Sequence, residues 1–303
     1  MTTPSFPLHA PLLRTLLPYL GMLTGMISLA LGTSFAKTLF PLIGAQGTSA
    51  YRVGLSAVVL LAIWRPWRFR YSFTEMKGIV LFGGTIGAMN LLFYMSLKTI
   101  PLGLALAIEF SGPLTLALIH SRRWVHFLWV GFAVMGLALL LPIGSGAHNL
   151  DPVGMLLAGG AGVFWALYII FGKRLSHIPA GQSVAMGMTM AAVVVVPFGI
   201  AEAGVSLLQP GILLAGLAVA VFSSALPYVL DMNALRQIPK RTFGVITSAE
   251  PAVGALAGLF VLHEYLSVTQ WFAVGAIVVA AGGSIATAGQ DEAKTVVEAL
   301  PAE

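Results

Sequence analysis

The 303-residue chain contains no cysteine, and only 9 % of its residues are charged. The first absence excludes disulfides and leaves the redox compartment open. The second excludes an ordinary soluble domain, which carries about 25 % charged residues. There is no Asn-x-Ser/Thr sequon, no phosphate-binding glycine loop, no Asp-rich motif for diphosphate chemistry and no plausible nucleophile–base pair. His263-Glu264-Tyr265-Leu266-Ser267 lacks the second histidine of a zinc-protease helix. All six histidines fall in tails, loops or segment ends, so a mid-membrane histidine proton relay is not expected. These absences speak against an enzyme, a metal and a cofactor. The formal charge of +5 could suggest nucleic acid or anionic lipid. The basic residues lie between apolar segments, however, so membrane topology accounts for them and no nucleic-acid partner is expected.

What the chain does have is apolar length. Hydrophobic residues make up 58 % of it and glycine contributes 34 positions. Runs that suit a bilayer core predict an all-α membrane protein with ten spans: 17–37, 47–64, 77–97, 101–120, 124–142, 152–172, 181–201, 210–232, 240–262 and 267–288. Pro, Gly and short polar clusters mark the joints, among them Pro41, Pro66, Pro101, Pro142, Pro179 and Pro239. Residues 1–14 and 289–303 read as polar tails. The first apolar run is too long for a signal-peptide core and lacks a small-residue cleavage site, so it reads as an uncleaved span.

A repeat divides the chain. Leu97-Lys98-Thr99-Ile100-Pro101 reappears in pattern 138 positions later as Leu235-Arg236-Gln237-Ile238-Pro239, and Pro113 and Pro251 each follow twelve residues after those prolines. Weaker echoes pair Gly21-Met22-Leu23 with Gly154-Met155-Leu156. Five spans per half, 1–142 and 143–303, would set the second half upside down relative to the first, the inverted-repeat plan of secondary transporters. Charge gives the orientation. With the N-terminus in the cytoplasm, the inner side holds Arg14, Arg65, Arg68, Arg70, Lys77, Arg122, Arg123, Lys173, Arg174, Arg236, Lys240, Arg241 and Lys294, and the outer side only Lys37 and Lys98. That bias follows the positive-inside rule and places both termini in the cytoplasm.

Charged groups at membrane depth are costly and serve function or pairing. Arg52 falls near the outer end of the second span and Asp231 near the inner end of the eighth, where snorkelling or capping competes with function. Glu109 and Glu250 fall mid-span. Thr247 is the repeat counterpart of Glu109. Proline disrupts the helical bond to the carbonyl four residues earlier, which is Glu109 for Pro113 and Thr247 for Pro251, so each half offers a polar side chain and a freed carbonyl at one depth. Ser224, Tyr228 and Asp231 share a helical stripe, as do Asn90 and Tyr94, and Trp165 and Tyr168. These groups could line a substrate cavity with aromatic walls; the competing reading is helix–helix packing. Gly83, Gly84, Gly87, Gly159, Gly160, Gly162, Gly254 and Gly258 are expected to permit close helix contact.

Ile108-Glu109-Phe110-Ser111-Gly112-Pro113, Ser121-Arg122-Arg123, Ala225-Leu226-Pro227-Tyr228, Arg241-Thr242-Phe243-Gly244 and Glu250-Pro251 with Glu264 after it carry a resemblance that spans residues 15–288. The chain resembles the EamA-type branch of the drug/metabolite transporter superfamily, and within it the amino-acid exporters of the RhtA and YddG type. The halves differ where Arg122-Arg123 stands opposite His263-Glu264, so no role passes to Glu264. The resemblance implies a ten-helix basket, with helices 1–4 and 6–9 around a central cavity, that exports small amino acids across the bacterial inner membrane. The expected substrate site comprises Glu109, Thr247, Glu250, Asn90, Tyr94, Trp165, Tyr168, Ser224 and Tyr228, with Pro113 and Pro251 as kinks for gating. Membrane lipid is the expected surrounding and a monomer the expected unit. Proton antiport and facilitated diffusion both remain open. A carrier for a nucleoside or cationic drug is the nearest alternative; a channel would need a continuous polar pore.

Overall fold

The structure is a computed structural model, and it describes residues 10–100, 102–121, 123–140, 151–261 and 267–298. Pro101, Arg122, Pro142, the His263-Glu264 pair and the boundary expected at 142/143 lie outside the described residues. Those described residues form twelve α-helices and no strand: α1 Ala10–Ala36, α2 Phe40–Trp64, α3 Phe73–Ser96, α4 Leu102–Ile119, α5 Trp124–Leu140, α6 Pro152–Arg174, α7 Ala180–Ala203, α8 Pro210–Ala220, α9 Leu226–Gln237, α10 Lys240–Thr247, α11 Glu250–Val261 and α12 Val268–Glu298. Seven helical stretches are long and apolar enough to cross a bilayer: α1, α2, α3, α6, α7, the joined α8–α9 rod and α12. The apolar parts of α4 and α5 are shorter. The chain is an integral membrane protein whose described residues are helical apart from short turns.

Boundaries depart from the expected spans where local chemistry intervenes. The second helix starts at Phe40 rather than 47 and kinks at Gly44, whose φ of 70° lies in the region open to glycine. The kink exposes backbone donors, and Glu202 from the end of α7 accepts from Gln46 N at 2.6 Å and Gly47 N at 3.4 Å. Glu202 also pairs with Lys98 at 3.6 Å. The ninth span is broken rather than kinked: α10 ends at Thr247 and α11 begins at Glu250. Pro251 disfavours a helical conformation at the residue before it and cannot donate to Thr247. The first-half counterpart differs, since α4 runs unbroken through Pro113. The last helix continues to Glu298, into the stretch read as a polar tail.

The helices pack chiefly as α2 on α7, α3 on α6 and α7, α4 on α6, α5 on α12 and α1 on α9. Glycines set the tightest crossings. A Cβ on Gly112 would lie 1.9 Å from Gly162 O, and one on Gly83 would lie 2.3 Å from Gly187 O, so only small residues let these backbones approach. Gly84 and Gly254 face open space instead, and Gly159 makes ordinary contact at 3.9 Å.

The two ends of α6 organise the turns around it. At its start, the Asp151 carboxylate caps the helix, accepting from Val153 N and Gly154 N at 3.1 Å each. A hydrogen bond from the Thr99 hydroxyl, reinforced by these backbone donors, holds its carboxyl below the usual carboxylate range. At its end, Lys173 Nζ donates to Leu235 O at 2.7 Å, Arg236 O at 3.2 Å and Ile238 O at 2.8 Å, capping α9. The Thr99 and Ile238 turns therefore lie at opposite ends of a 23-residue helix, about 34 Å apart at 1.5 Å per residue.

Candidate functional site

A cavity of about 430 Å³ lies among α1, α2, α3, α4, α5, α6, α9, α11 and α12. Its walls include Met26, Leu29, Met89, Phe93, Leu106 and Leu137, onto which four charged side chains converge: Arg52, Glu109, Asp231 and Glu250. An apolar wall with a few placed polar groups is the usual form of a small-molecule site. The lining reaches Leu140 at the end of α5 and Gln270 near the start of α12, so the cavity extends toward the end of the bundle that carries the Thr99 turn.

Arg52 is buried on α2, only 8 % exposed. Its Nε donates to Ser224 Oγ at 3.1 Å, Nη1 to the Tyr94 hydroxyl at 3.0 Å and Nη2 to Ser223 O at 3.0 Å. The last bond follows from sequence. Pro227 has no N–H, so the carbonyl four residues before it, Ser223, has no helical donor. Between α8 and α9 the chain forms a π-turn over Val221–Ala225, with Leu226 N bonded to Val221 O. That leaves Phe222 O free as well, and Ser28 Oγ from α1 donates to it at 2.7 Å. Both carbonyls released by the turn are thus taken by neighbouring helices. Such turns gather at functional sites.

The carboxylates come from three helices. Glu109 is 6 % exposed on α4. Its backbone carbonyl, freed by Pro113, faces α6, where a Cβ on Gly162 would lie 2.7 Å away; that carbonyl therefore serves the helix crossing. Asp231 on α9 lies against α1, its Oδ1 3.6 Å from where a Gly25 Cβ would stand. Glu250 opens α11, where the helix dipole favours an acidic side chain. Among the described residues none of these carboxylates has an ion-pair partner within 4.0 Å, although Arg52 and Glu109 are within electrostatic range of each other. Among the described residues no three His, Asp or Glu side chains cluster closely enough to hold a metal.

Aromatic rings complete the wall. Trp165 packs on Phe110 with centroids 4.6 Å apart, Tyr168 stacks on Phe82 at 5.3 Å and meets Tyr228 edge-on at 5.9 Å. Asn90 Nδ2 donates to Ile86 O at 2.9 Å and to the Tyr228 hydroxyl at 3.3 Å, so residues 138 positions apart meet. The Tyr168 hydroxyl, on a side chain only 2 % exposed, has no hydrogen-bond partner among the described residues.

Of the residues expected at a substrate site, Asn90, Glu109, Trp165, Tyr168, Tyr228, Glu250 and Pro251 line the cavity. Tyr94 and Ser224 stand behind it and hold Arg52. Thr247 does not line it either: its hydroxyl turns back to Phe243 O on its own helix. Pro113 packs against α10, with its carbonyl 2.6 Å from where a Gly244 Cβ would be. Arg52 and Asp231, placed near span ends by the sequence, belong to the cavity. The signal for Arg52 was available, since the one other arginine inside an expected span, Arg241, is the second residue of its span and belongs to the basic inner side.

Known proteins resemble this chain over the same helices. A crystal structure of another protein superposes with a TM-score of 0.73, covering 92 % of this chain and 98 % of that one, at 20 % identity, which establishes a shared fold. The threonine/homoserine exporter RhtA of Escherichia coli K12 is 45 % identical over 271 residues, 89 % of this chain and 92 % of its own length. RhtA of Salmonella typhimurium LT2 is 46 % identical over the same span. The uncharacterized transporter YwfM of Bacillus subtilis is 25 % identical over 240 residues, 76 % of this chain and 80 % of its own. Residues 152–285 match the EamA-like transporter family. With identity of this level across nearly the whole chain, the protein belongs to the EamA-like transporter family, on the side of the threonine/homoserine exporters.

Proposed function

We propose that the protein exports small amino acids, threonine and homoserine foremost, from the cytoplasm across the bacterial inner membrane by alternating access. The observation that carries this reading is the membrane-embedded cavity in which buried charges of both signs face one space, in a chain 45 % identical to a threonine/homoserine exporter. An amino acid is a zwitterion, and a cavity with a guanidinium and carboxylates offers each of its poles an opposite charge. Its volume suits a small molecule. Glu109, on the α4 wall, takes the substrate ammonium; Trp165, Tyr168 and Tyr228 shape the side-chain space; Asn90 orients the Tyr228 hydroxyl.

The moving parts are two five-helix repeats, 1–142 and 143–303, of opposite orientation, making ten spans in all. The wide separation of the Thr99 and Ile238 turns along α6 supports this, as does the meeting of Asn90 with its repeat counterpart Tyr228. The broken helix at Ser248-Ala249 and the kink-prone α4 are the corresponding places in the two repeats where a rocking bundle can bend. Both termini are cytoplasmic, the unit is a monomer in lipid, and the cycle needs no chemical step or cofactor. A second reading, export of a cationic metabolite or drug, is favoured by one feature: three carboxylates stand against one guanidinium.

Purified protein in proteoliposomes separates these readings. Preloading with threonine, homoserine, other amino acids or a cationic drug should give saturable exchange of labelled threonine or homoserine above the rest. Tyr228→Ala and Trp165→Ala should change the ranking of amino acids. Exchange of the cation alone would overturn the amino-acid reading.

A further inference from the structure

We infer that Arg52 is the seat of the substrate's carboxylate group, held in place by the π-turn of the α8–α9 rod. This rests on the exporter reading above and assigns the atom that reads the acidic end of the substrate.

The donor count comes first. A guanidinium has five N–H groups. Three are committed, one on each nitrogen, to Ser224 Oγ, the Tyr94 hydroxyl and Ser223 O. One N–H remains on each Nη, the number a carboxylate takes when bound by two parallel bonds. Arg52 lines the cavity, and its two uncommitted N–H groups are the donors it has to offer a ligand there.

Charge comes second. All three fixed partners of Arg52 are neutral oxygens. They satisfy hydrogen bonds but do not neutralise a buried cation, and among the described residues no carboxylate approaches within ion-pair distance. A buried charge calls for a counter-charge. An entering substrate carboxylate supplies it, and the substrate ammonium then lies on the Glu109 side of the cavity. The Tyr168 hydroxyl, unpartnered in the same wall, is a further donor or acceptor for the bound molecule.

The third argument concerns position. A role as a strut between α2 and the α8–α9 rod would use the three committed bonds alone. It does not require Arg52 to line the cavity. The π-turn and Pro227 together release two carbonyls, yet Ser28 takes one and Arg52 the other. Tyr94 from α3 and Ser224 complete a three-point mount that fixes the plane of the guanidinium, the condition for reading a planar carboxylate.

The test compares threonine with threoninol, in which the carboxylate is replaced by a hydroxymethyl group. Apparent affinities are measured by competition against labelled threonine in counterflow, with wild type, Arg52→Gln, Tyr94→Phe and Ser224→Ala. Wild type should prefer threonine by about tenfold or more, the scale of a charged hydrogen-bonded pair. Arg52→Gln should abolish that ratio, and Tyr94→Phe and Ser224→Ala should each lower it by loosening the mount. A folded Arg52→Gln that keeps the wild-type ratio would overturn the assignment. If Arg52→Gln does not fold, unchanged ratios in both Tyr94→Phe and Ser224→Ala would overturn it equally. Wild-type exchange of threonine and threoninol without preference defeats the carboxylate seat alone; exchange of no amino acid defeats the exporter reading and this one with it.

Discussion

Gly112→Ala should damage this protein more than its single added carbon suggests. The new Cβ would stand 1.9 Å from Gly162 O, 2.4 Å from Gly162 C and 2.9 Å from Gly162 Cα. All three atoms are backbone of α6, so no side chain can swing aside. To restore an ordinary contact of 3.4 Å, α4 and α6 must part by about 1.5 Å at the crossing. That shift would also open the Phe110–Trp165 contact, now 4.6 Å between centroids, and move Glu109 relative to the cavity wall. Overpacking of this kind costs about 1–3 kcal/mol, and rigid backbone on both sides places it toward the upper end. Gly84→Ala is the control: nothing lies within 4 Å of its Cβ, so the alanine adds helix propensity and removes no contact. Thermal denaturation of the detergent-purified proteins, read by loss of the monodisperse species, should rank Gly112→Ala well below wild type and Gly84→Ala at or above it. Equal stability of the two variants would refute the close-crossing argument.

Three further outcomes follow from other parts of the fold. Single cysteines at Thr99 and Gln237, in a chain with none of its own, should react with an impermeant thiol reagent from opposite sides of the membrane; reaction from one side would sink the inverted-repeat reading. Lys173→Met removes three charge-assisted bonds to the end of α9 and should lower stability by on the order of 2 kcal/mol, measured by thermal unfolding; a change within error would reduce the cap to a solvated contact. Asp151 is held below the usual carboxylate range by Thr99 and its helix-capping bonds. Its contribution to stability is present above the unfolded value, about 3.9, and is lost as pH falls through the lower folded value. The stability gap between wild type and Asp151→Asn should therefore narrow from about pH 6 to about pH 3, and a gap independent of pH would contradict the assignment.

The helical membrane class and the carbonyls released by proline could be read from residue patterns because bilayer length and the missing proline N–H leave direct marks in sequence. Side-chain direction was less legible, for local reasons. Ser224, Tyr228 and Asp231 fit one α-helical stripe, yet the π-turn over Val221–Ala225 changes the register above Pro227, so Ser224 turns toward Arg52 while Tyr228 and Asp231 face the cavity. Thr247 matches Glu109 in the repeat, but its hydroxyl bonds within its own helix just before the chain breaks. The carbonyl that Pro113 frees proved to face a glycine crossing, whereas the one freed by Pro227 holds the buried arginine. A proline announces which carbonyl is released; only the packing of neighbouring helices decides what takes it.

The most direct test of the central claim is labelled threonine counterflow in proteoliposomes containing wild type or Glu109→Gln at matched, monodisperse reconstitution. The account predicts saturable counterflow by wild type and a marked loss of apparent affinity, or of the pH dependence of the rate, when Glu109 loses its charge. Wild-type exchange matched by Glu109→Gln in affinity, rate and pH profile would show that substrate does not use this cavity as argued.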